Sequence, residues 1–176
     1  MGQGTWGPLL VIGVALWAGA ARARPLEQEL PLKRAACFER AYDAAHLKAR
    51  PRQQVTRIRL LHLPDQWTAL DDGRFYVSLV ANLRSRRGED GFDYRLGGFC
   101  GAEGASLVCT PEWEAGRWRI ERGPGNSLDI VNGNVVLNPY NHDAEEIAPG
   151  AVRVRAAPDD RRWRLFRVSD RASCKL

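Results

Sequence analysis

The apolar residues of this chain recur with a period of two over most of its length. In RFYVSLVANLR (74–84), apolar side chains at odd positions alternate with mainly polar ones. The stretches GFDYRLGGFC, GRWRIER and AVRVRA repeat the alternation. This period is typical of strands that bury one face and expose the other to water. The sequence therefore predicts a fold built from strands.

Turn signals divide the chain into short strands. We expect strands near residues 55–63, 74–84, 91–100, 106–110, 116–122, 127–131, 134–138, 151–156 and 162–168. One short helix is predicted after Asp43, a good N-cap, and Pro51 ends it. An earlier helix start, within CFERAYD, stays open. Eight or nine short antiparallel strands predict an all-β fold, an antiparallel barrel or a sandwich.

The four cysteines predict one cross-linked hairpin and one link between the ends of the domain. Gly104 suits the first central position of a type II′ turn, which places Cys100 opposite Cys109 in a hairpin. Facing Cα atoms about 4.5 Å apart lie at the short end of disulfide geometry. The remaining pair, Cys37 and Cys174, would then join the two ends of the domain. That bond favours a closed barrel, in which the first and last strands are neighbours.

A second hairpin is predicted in SLDIVNGNVVL. Asn132-Gly133 is a preferred type I′ turn pair. Pairing outward from it places Ile130 opposite Val135 and Leu128 opposite Leu137. Because all four apolar side chains then share one face, the turn chemistry and the hydrophobic pattern favour the same register.

The N-terminal segment predicts export. An apolar run from Pro8 to Ala21 is followed by Ala21-Arg22-Ala23, which resembles the cleavage site of a signal peptide. Residues 1–23 are therefore predicted to be removed, leaving one domain over 24–176. An uncleaved anchor is disfavoured because the run is shorter than the ~20 residues that span a bilayer. We expect a soluble protein of the bacterial periplasm or the extracellular space, without a transmembrane anchor after cleavage.

Motifs for catalysis and metal binding are lacking in the sequence, which favours a protein that is not an enzyme. It has three histidines, no H-E-x-x-H pattern and no Cys or His spacing for zinc. We expect no cofactor. The stretch 138–150 holds the weak candidates for a cation or for hydrolytic chemistry: His142, Asp143, Glu145 and Glu146. A solvated acidic loop is the favoured interpretation, because no calcium-loop spacing fits.

Arginine dominates the basic residues, with 23 of 26, and the chain carries a formal net charge of +5. If the apolar residues of three strands point inward, six arginines point outward. These are Arg57, Arg59, Arg153, Arg155, Arg162 and Arg164. In a closed barrel their strands are expected to be adjacent, so together they form a candidate anion-binding surface for an anionic glycan or an acidic protein. Nucleic acid is not an expected partner, and ordinary surface arginines remain the alternative.

Three stretches carry a resemblance to a known family. They are CFERAYDAAHLKARPRQQVTRIRL, GGFCGAEGASLVC and DDRRWRLFRVSDRASC. With them the chain resembles a family of small, uncharacterised exported bacterial proteins. The Y-D-x-x-H-L segment of the family matches Tyr42 to Leu47, and the cysteine hairpin of the family matches Gly98 to Cys109. The closing stretch of the family matches Arg161 to Cys174. The resemblance implies a disulfide-bonded, β-rich protein and carries over no activity, substrate or cofactor.

Taken together, these features predict an exported, non-enzymatic binding module that acts through its surface, either as an inhibitor or by binding an anionic partner. Two alternatives stay open. One is a hydrolase or metal-dependent enzyme that uses the loop 138–150. The other is a carrier of a small apolar ligand in the barrel lumen, which the many large apolar side chains at inward positions disfavour.

Overall fold

Antiparallel strands make up almost all of the regular structure. The strands are β1 (Ala36–Ala41), β2 (Val55–His62), β3 (Phe75–Leu83), β4 (Tyr94–Glu103), β5 (Ser106–Thr110), β6 (Arg117–Arg122), β7 (Ser127–Gly133), β8 (Val135–Pro139), β9 (Val152–Val154) and β10 (Arg162–Arg167). One short helix, α1 (Ala44–Ala49), follows β1. The computed structural model describes residues 26, 30, 34–63, 72–84, 92–111, 113–141, 146–169 and 174. The predicted signal peptide, residues 1–23, lies outside them.

Eight of the strands close into a barrel. Around the ring they follow the order β3-β2-β1-β10-β7-β6-β5-β4, and pairing of β3 with β4 closes it. The remaining strands, β8 and β9, form an extension that pairs with the start of β4. The all-β prediction is confirmed, and of its two architectures the barrel is the one observed. Strands β1 and β10 are neighbours, as a closed barrel requires.

The strand that the sequence reading missed is β1. The structure has a strand at Ala36–Ala41, which overlaps the stretch CFERAYD that an earlier start of the helix would include. The helix α1 is confined to Ala44–Ala49. Phe38 points into the core and is 1% exposed, and β1 pairs on both edges, with β2 and β10. Burial between two neighbouring strands outweighs the helical spacing of this segment.

The cysteine hairpin is confirmed in its register. β4 pairs with β5 from Glu103↔Ser106 to Cys100↔Cys109, and the two cysteines form a disulfide. Gly104 at the turn has a φ of +60°, which glycine adopts without the steric cost of a side chain.

The hairpin predicted at Asn132-Gly133 is wrong. β7 uses its two edges for β6 and β10, so that neither edge remains for β8. Instead of turning the chain, the buried Asn132 amide donates to the Val154 and Asp160 carbonyls and accepts from the Val135 N–H. The chain then leaves the barrel through Asn134, whose φ is +66°. Long-range hydrogen bonds therefore outweigh the local turn preference.

Large apolar side chains pack together inside the barrel. Trp118, Trp163, Tyr94 and Phe38 are the largest fully buried side chains, and they belong to one apolar cluster with residues of every barrel strand. In the described part of the chain, no helix is long and apolar enough to cross a membrane.

Candidate functional site

The barrel wall opens between β1 and β10. These strands are paired at only two positions, Phe38↔Arg167 and Glu39↔Phe166. Beyond Glu39, β1 stays paired with β2 as far as Ala41, and β10 stays paired with β7 back to Arg162. Each strand therefore keeps its outer neighbour while the two separate from each other. This divergence leaves a slot in the wall.

The slot is part of a cleft of about 400 Å³, here called the seam cleft. Its lining comes from β1, α1, the segment after α1, the turn before β10, and β10. The lining residues are Arg40, Tyr42, His46, Arg50, Gln53, Asp159, Arg162, Arg164 and Phe166. Four are arginines and one is a carboxylate, so the cleft is strongly basic.

A hydrogen-bonded chain orders the α1 side of the cleft. The Asp43 carboxylate caps α1 by accepting from the His46 N–H at 2.7 Å. The Gln53 amide donates to the Val55 carbonyl at 2.7 Å, which leaves its Oε1 to accept from His46 Nε2 at 3.0 Å. His46 Nδ1 then accepts from Arg50 Nη1 at 3.0 Å. In this arrangement the imidazole of His46 lies between Gln53 and Arg50 and positions the Arg50 guanidinium.

Arg84 anchors the end of α1 to the barrel. Its guanidinium donates to the carbonyls of Leu47 at 2.9 Å, Gln53 at 3.1 Å and Arg50 at 3.2 Å. The last carbonyls of a helix have no partner within the helix, and an arginine there also complements the helix dipole. The side chain after β3 thus holds the segment that carries His46 and Arg50.

Arg40 lies between two aromatic rings. Its guanidinium carbon is 5.4 Å from the centre of the Tyr42 ring and 5.3 Å from that of Phe166, within the range of cation–π attraction. Tyr42 also stacks on His46, with ring centres 4.5 Å apart. Burial raises the pKa of Tyr42 to about 12, so its phenol stays neutral at physiological pH. Phe166 is 45% exposed and forms an apolar lip beside the charge.

The four arginines differ in how their charges are balanced. Arg162 and Arg164 both donate to the buried Asp129 carboxylate, and Arg162 also pairs with Glu121 at 2.8 Å. Within the described residues, Arg40 and Arg50 pair with no carboxylate. Their guanidinium donors are therefore the ones that an oxyanion entering the cleft could bind.

The turn before β10 is held by Asp160, the neighbour of the cleft residue Asp159. The buried Asp160 carboxylate accepts from the Gln54 N–H at 2.6 Å, the Val55 N–H at 3.3 Å and the Trp163 indole at 3.1 Å. Burial is the main influence on this group and raises its pKa above the usual range. These bonds connect the start of β10 to the start of β2 beneath the arginines.

The predicted adjacency of the arginine-bearing strands is wrong. β1 lies between β2 and β10, and β9 belongs to the β8 extension. On the outer face, Glu39 of β1 accepts from Arg57 at 2.7 Å and from Arg59 at 2.6 Å. Burial alone would raise the pKa of Glu39, but these bonds outweigh it and lower the pKa. Carboxylates therefore lie between the arginines of neighbouring strands on this part of the barrel wall.

The six predicted arginines therefore occupy three places. Arg57 and Arg59 belong to the Glu39 cluster and lie within 5 Å of the Phe92 ring. Arg153 and Arg155 are exposed on the β9 side of the extension. Arg162 and Arg164 are the pair that lines the seam cleft. Whether any of them binds an anion stays a prediction.

Most of the predicted cation-binding loop lies outside the described residues, including His142, Asp143 and Glu145. Glu146 is exposed, and its carbonyl accepts from the buried Asn138 amide at 2.7 Å. Among the residues that the structure describes, no three His, Cys, Asp or Glu side chains are grouped as metal ligands would be.

Comparisons with protein-family models, with curated proteins and with solved structures found no match. Sequence reasoning found two of the cleft arginines, Arg162 and Arg164, but missed Arg40, Arg50 and the residues around them. One signal was present. The resemblance covers Tyr42 to Leu47 and Arg161 to Cys174, and the cleft is lined by Tyr42 and His46 of the first stretch and by Arg162, Arg164 and Phe166 of the second.

Proposed function

We propose that the protein is an exported, non-enzymatic binding module that holds an anionic group in the seam cleft. The observation that carries this proposal is that the charges of Arg40 and Arg50 are not balanced by a carboxylate. Both line a concave site, and neither pairs with a carboxylate of the described residues. A planar guanidinium with unused N–H donors suits the paired oxygens of a carboxylate, sulfate or phosphate group.

The volume of the cleft favours a small ligand or a single group of a longer chain. A volume of about 400 Å³ is in the range of small-ligand sites, whereas a stable protein interface covers about 800 Å² on each partner. We therefore favour a chain or terminal group of an anionic glycan over the surface of an acidic protein. The two aromatic rings beside Arg40 add apolar surface to the site, and a lower local dielectric strengthens the attraction between opposite charges.

Export is part of the proposal and is supported by two features. One is the apolar run followed by Ala21-Arg22-Ala23, and the other is the disulfide between Cys100 and Cys109. Such bonds persist in oxidising compartments outside the cytoplasm. The large apolar side chains buried inside the barrel favour a surface site over the alternative of a carrier with an apolar lumen.

Heparin chromatography with two matched double variants tests the site. Arg40→Gln with Arg50→Gln removes two charges from the cleft, and Arg153→Gln with Arg155→Gln removes two from the β8–β9 extension. We expect wild type to be retained at low salt and released as salt rises. The cleft variant should be released at clearly lower salt, since each lost charge-assisted hydrogen bond costs about 1.5–3 kcal/mol. The extension variant should remain close to wild type.

Equal release of the two double variants would show that retention follows overall charge, and it would contradict the cleft as the site. Circular dichroism of each variant confirms that it has folded. A parallel experiment with polyglutamate separates the two ligand classes. Tighter binding of polyglutamate than of heparin would overturn the preference for a glycan while leaving the cleft as the binding site.

A further inference from the structure

We propose that Cys37 and Cys174 form a second disulfide, and that Cys174 is the thiol that reacts first with a disulfide oxidant. The bond would join β1 to the segment that follows β10, at the end of the seam opposite the cleft. This proposal is independent of anion binding, because it concerns the paired end of the two strands.

The fold brings these cysteines together across 137 positions of sequence. After β10, the Val168 N–H donates to the Cys37 carbonyl at 2.9 Å, so the chain continues along β1. Cys37, Leu61 and Val80 alternate with core residues on their strands and form a second apolar cluster on the outside of the wall. Val168 and Cys174 pack against this cluster, which places Cys174 beside Cys37.

The two side chains are thiols in direct contact. The structure holds no bond between them, and the Cys37 thiol is hydrogen-bonded with Cys174. The other two cysteines of the chain are already joined to each other. Formation of the second bond therefore requires no rearrangement of the first.

Exposure decides the order of reaction. Cys37 is 4% exposed, whereas Cys174 is partly exposed and can meet a dissolved oxidant. Burial, helped by the hydrogen bond with Cys174, raises the pKa of the Cys37 thiol to about 12. Because the thiolate is the nucleophile in exchange, Cys37 attacks rarely on its own and serves as the second, resolving thiol.

The exchange with oxidised glutathione is balanced in two steps. The Cys174 thiolate attacks one glutathione sulfur, the glutathione disulfide breaks, and one glutathione thiolate leaves. The Cys37 thiol then loses its proton to solvent and attacks Cys174 Sγ, which releases the second glutathione thiolate. Two protein thiols are oxidised with loss of two protons and two electrons, and one glutathione disulfide is reduced to two thiols.

The test uses folded protein equilibrated with oxidised glutathione, then denatured, alkylated and mapped by mass spectrometry. Wild type should carry no alkylated cysteine and should yield a peptide that joins Cys37 to Cys174. Cys37→Ser should accumulate glutathione on Cys174, since the resolving thiol is gone. Cys174→Ser should leave Cys37 free of glutathione and open to alkylation only after denaturation.

Several results would overturn the proposal. Wild type that keeps both thiols after equilibration would exclude the bond, as would a peptide that joins either residue to Cys100 or Cys109. Glutathione on Cys37 of the folded Cys174→Ser variant would reverse the proposed order. The wild-type peptide map decides the pairing even where a serine variant fails to fold.

Discussion

The Arg164 guanidinium donates two hydrogen bonds to the Asp129 carboxylate, from Nε to Oδ1 at 2.8 Å and from Nη2 to Oδ2 at 3.0 Å. Arg162 adds a third at 3.1 Å. The carboxylate is 4% exposed, and both guanidinium side chains are 46% exposed. Hydrogen bonding, first from Arg164 and then from Arg162, lowers the pKa of Asp129 although burial opposes this. One buried charge on β7 thus holds two arginines of the cleft on β10.

We predict that Asp129→Asn lowers the free energy of unfolding by about 1–3 kcal/mol at pH 7, because hydrogen bonds to a charged acceptor are lost. The folded-state pKa of Asp129 lies below its unfolded value, so its contribution is present above about pH 4 and is lost as the pH falls through the folded pKa. Urea unfolding at pH 7 and pH 3 should therefore show a difference between wild type and variant that shrinks in acid. A difference that does not change with pH would contradict this linkage.

Phe166→Ala is predicted to weaken anion binding with little effect on stability. Phe166 is 45% exposed, so its removal uncovers little of the core, but Arg40 loses one of its two flanking rings. An exposed cation–π contact is worth about 0.5–1 kcal/mol, which corresponds to roughly a two- to fivefold loss of affinity. Phe166→Tyr retains a ring and is the matched control. Equal heparin affinity of wild type, Phe166→Ala and Phe166→Tyr would show that the Phe166 ring does not contribute to anion binding.

The fold could be predicted from sequence where local signals and burial agree. Alternation with a period of two located nine strands, and Gly104 set the register of the cysteine hairpin. The prediction failed at Asn132, although Asn132-Gly133 is an equally strong turn signal. Both edges of β7 are paired with other strands, so β8 cannot pair with it. It also failed at β1, whose strand state depends on neighbours far away in the sequence. Turn chemistry alone carries no information about which edges are occupied.

The site was harder to predict than the fold. The alternation of apolar and polar residues predicts which side chains of a single strand point outward, and it identified Arg162 and Arg164. The opening of the seam depends on how far β1 and β10 stay paired, and no local pattern encodes this extent. The prediction of a purely basic surface was wrong for the same reason. Whether the arginines are neutralised depends on Glu39 and Asp129, which lie between them on neighbouring strands.

Asp160→Asn is predicted to destabilise the protein by at least about 1 kcal/mol. The carboxylate accepts from Gln54, Val55 and Trp163, whereas an amide would turn its NH₂ group toward one of these donors and leave it unsatisfied. Burial raises the folded-state pKa of Asp160 above its unfolded value. The free energy of unfolding therefore decreases as the pH rises from the unfolded pKa through the folded one, and this pH dependence is opposite in sign to that of Asp129. Thermal unfolding followed by tryptophan fluorescence measures the loss. A melting temperature equal to that of wild type would show that these donors find other partners.

The last prediction concerns Arg84, which we expect to control the order of α1. A six-residue helix is too short to be stable alone, and the Arg84 guanidinium binds the carbonyls of Leu47 and Arg50 at its end. In Arg84→Ala these carbonyls lose the guanidinium donor and keep only their backbone donors, the Arg50 N–H for Leu47 and the Gln53 N–H for Arg50. The backbone bond from the residue-84 N–H to the Gln54 carbonyl also remains.

Hydrogen exchange should then speed up at the amides of Leu47 and Arg50, while the amides of β4 and β5 keep their wild-type protection. Heparin affinity should fall as well, because His46 and Arg50 are carried by this segment and lose their fixed place in the cleft. Arg84→Lys retains the charge but lacks the planar fork, so it should fall between the other two proteins. Unchanged exchange in α1 of Arg84→Ala would show that the hydrogen bonds around Gln53 are sufficient to hold the helix.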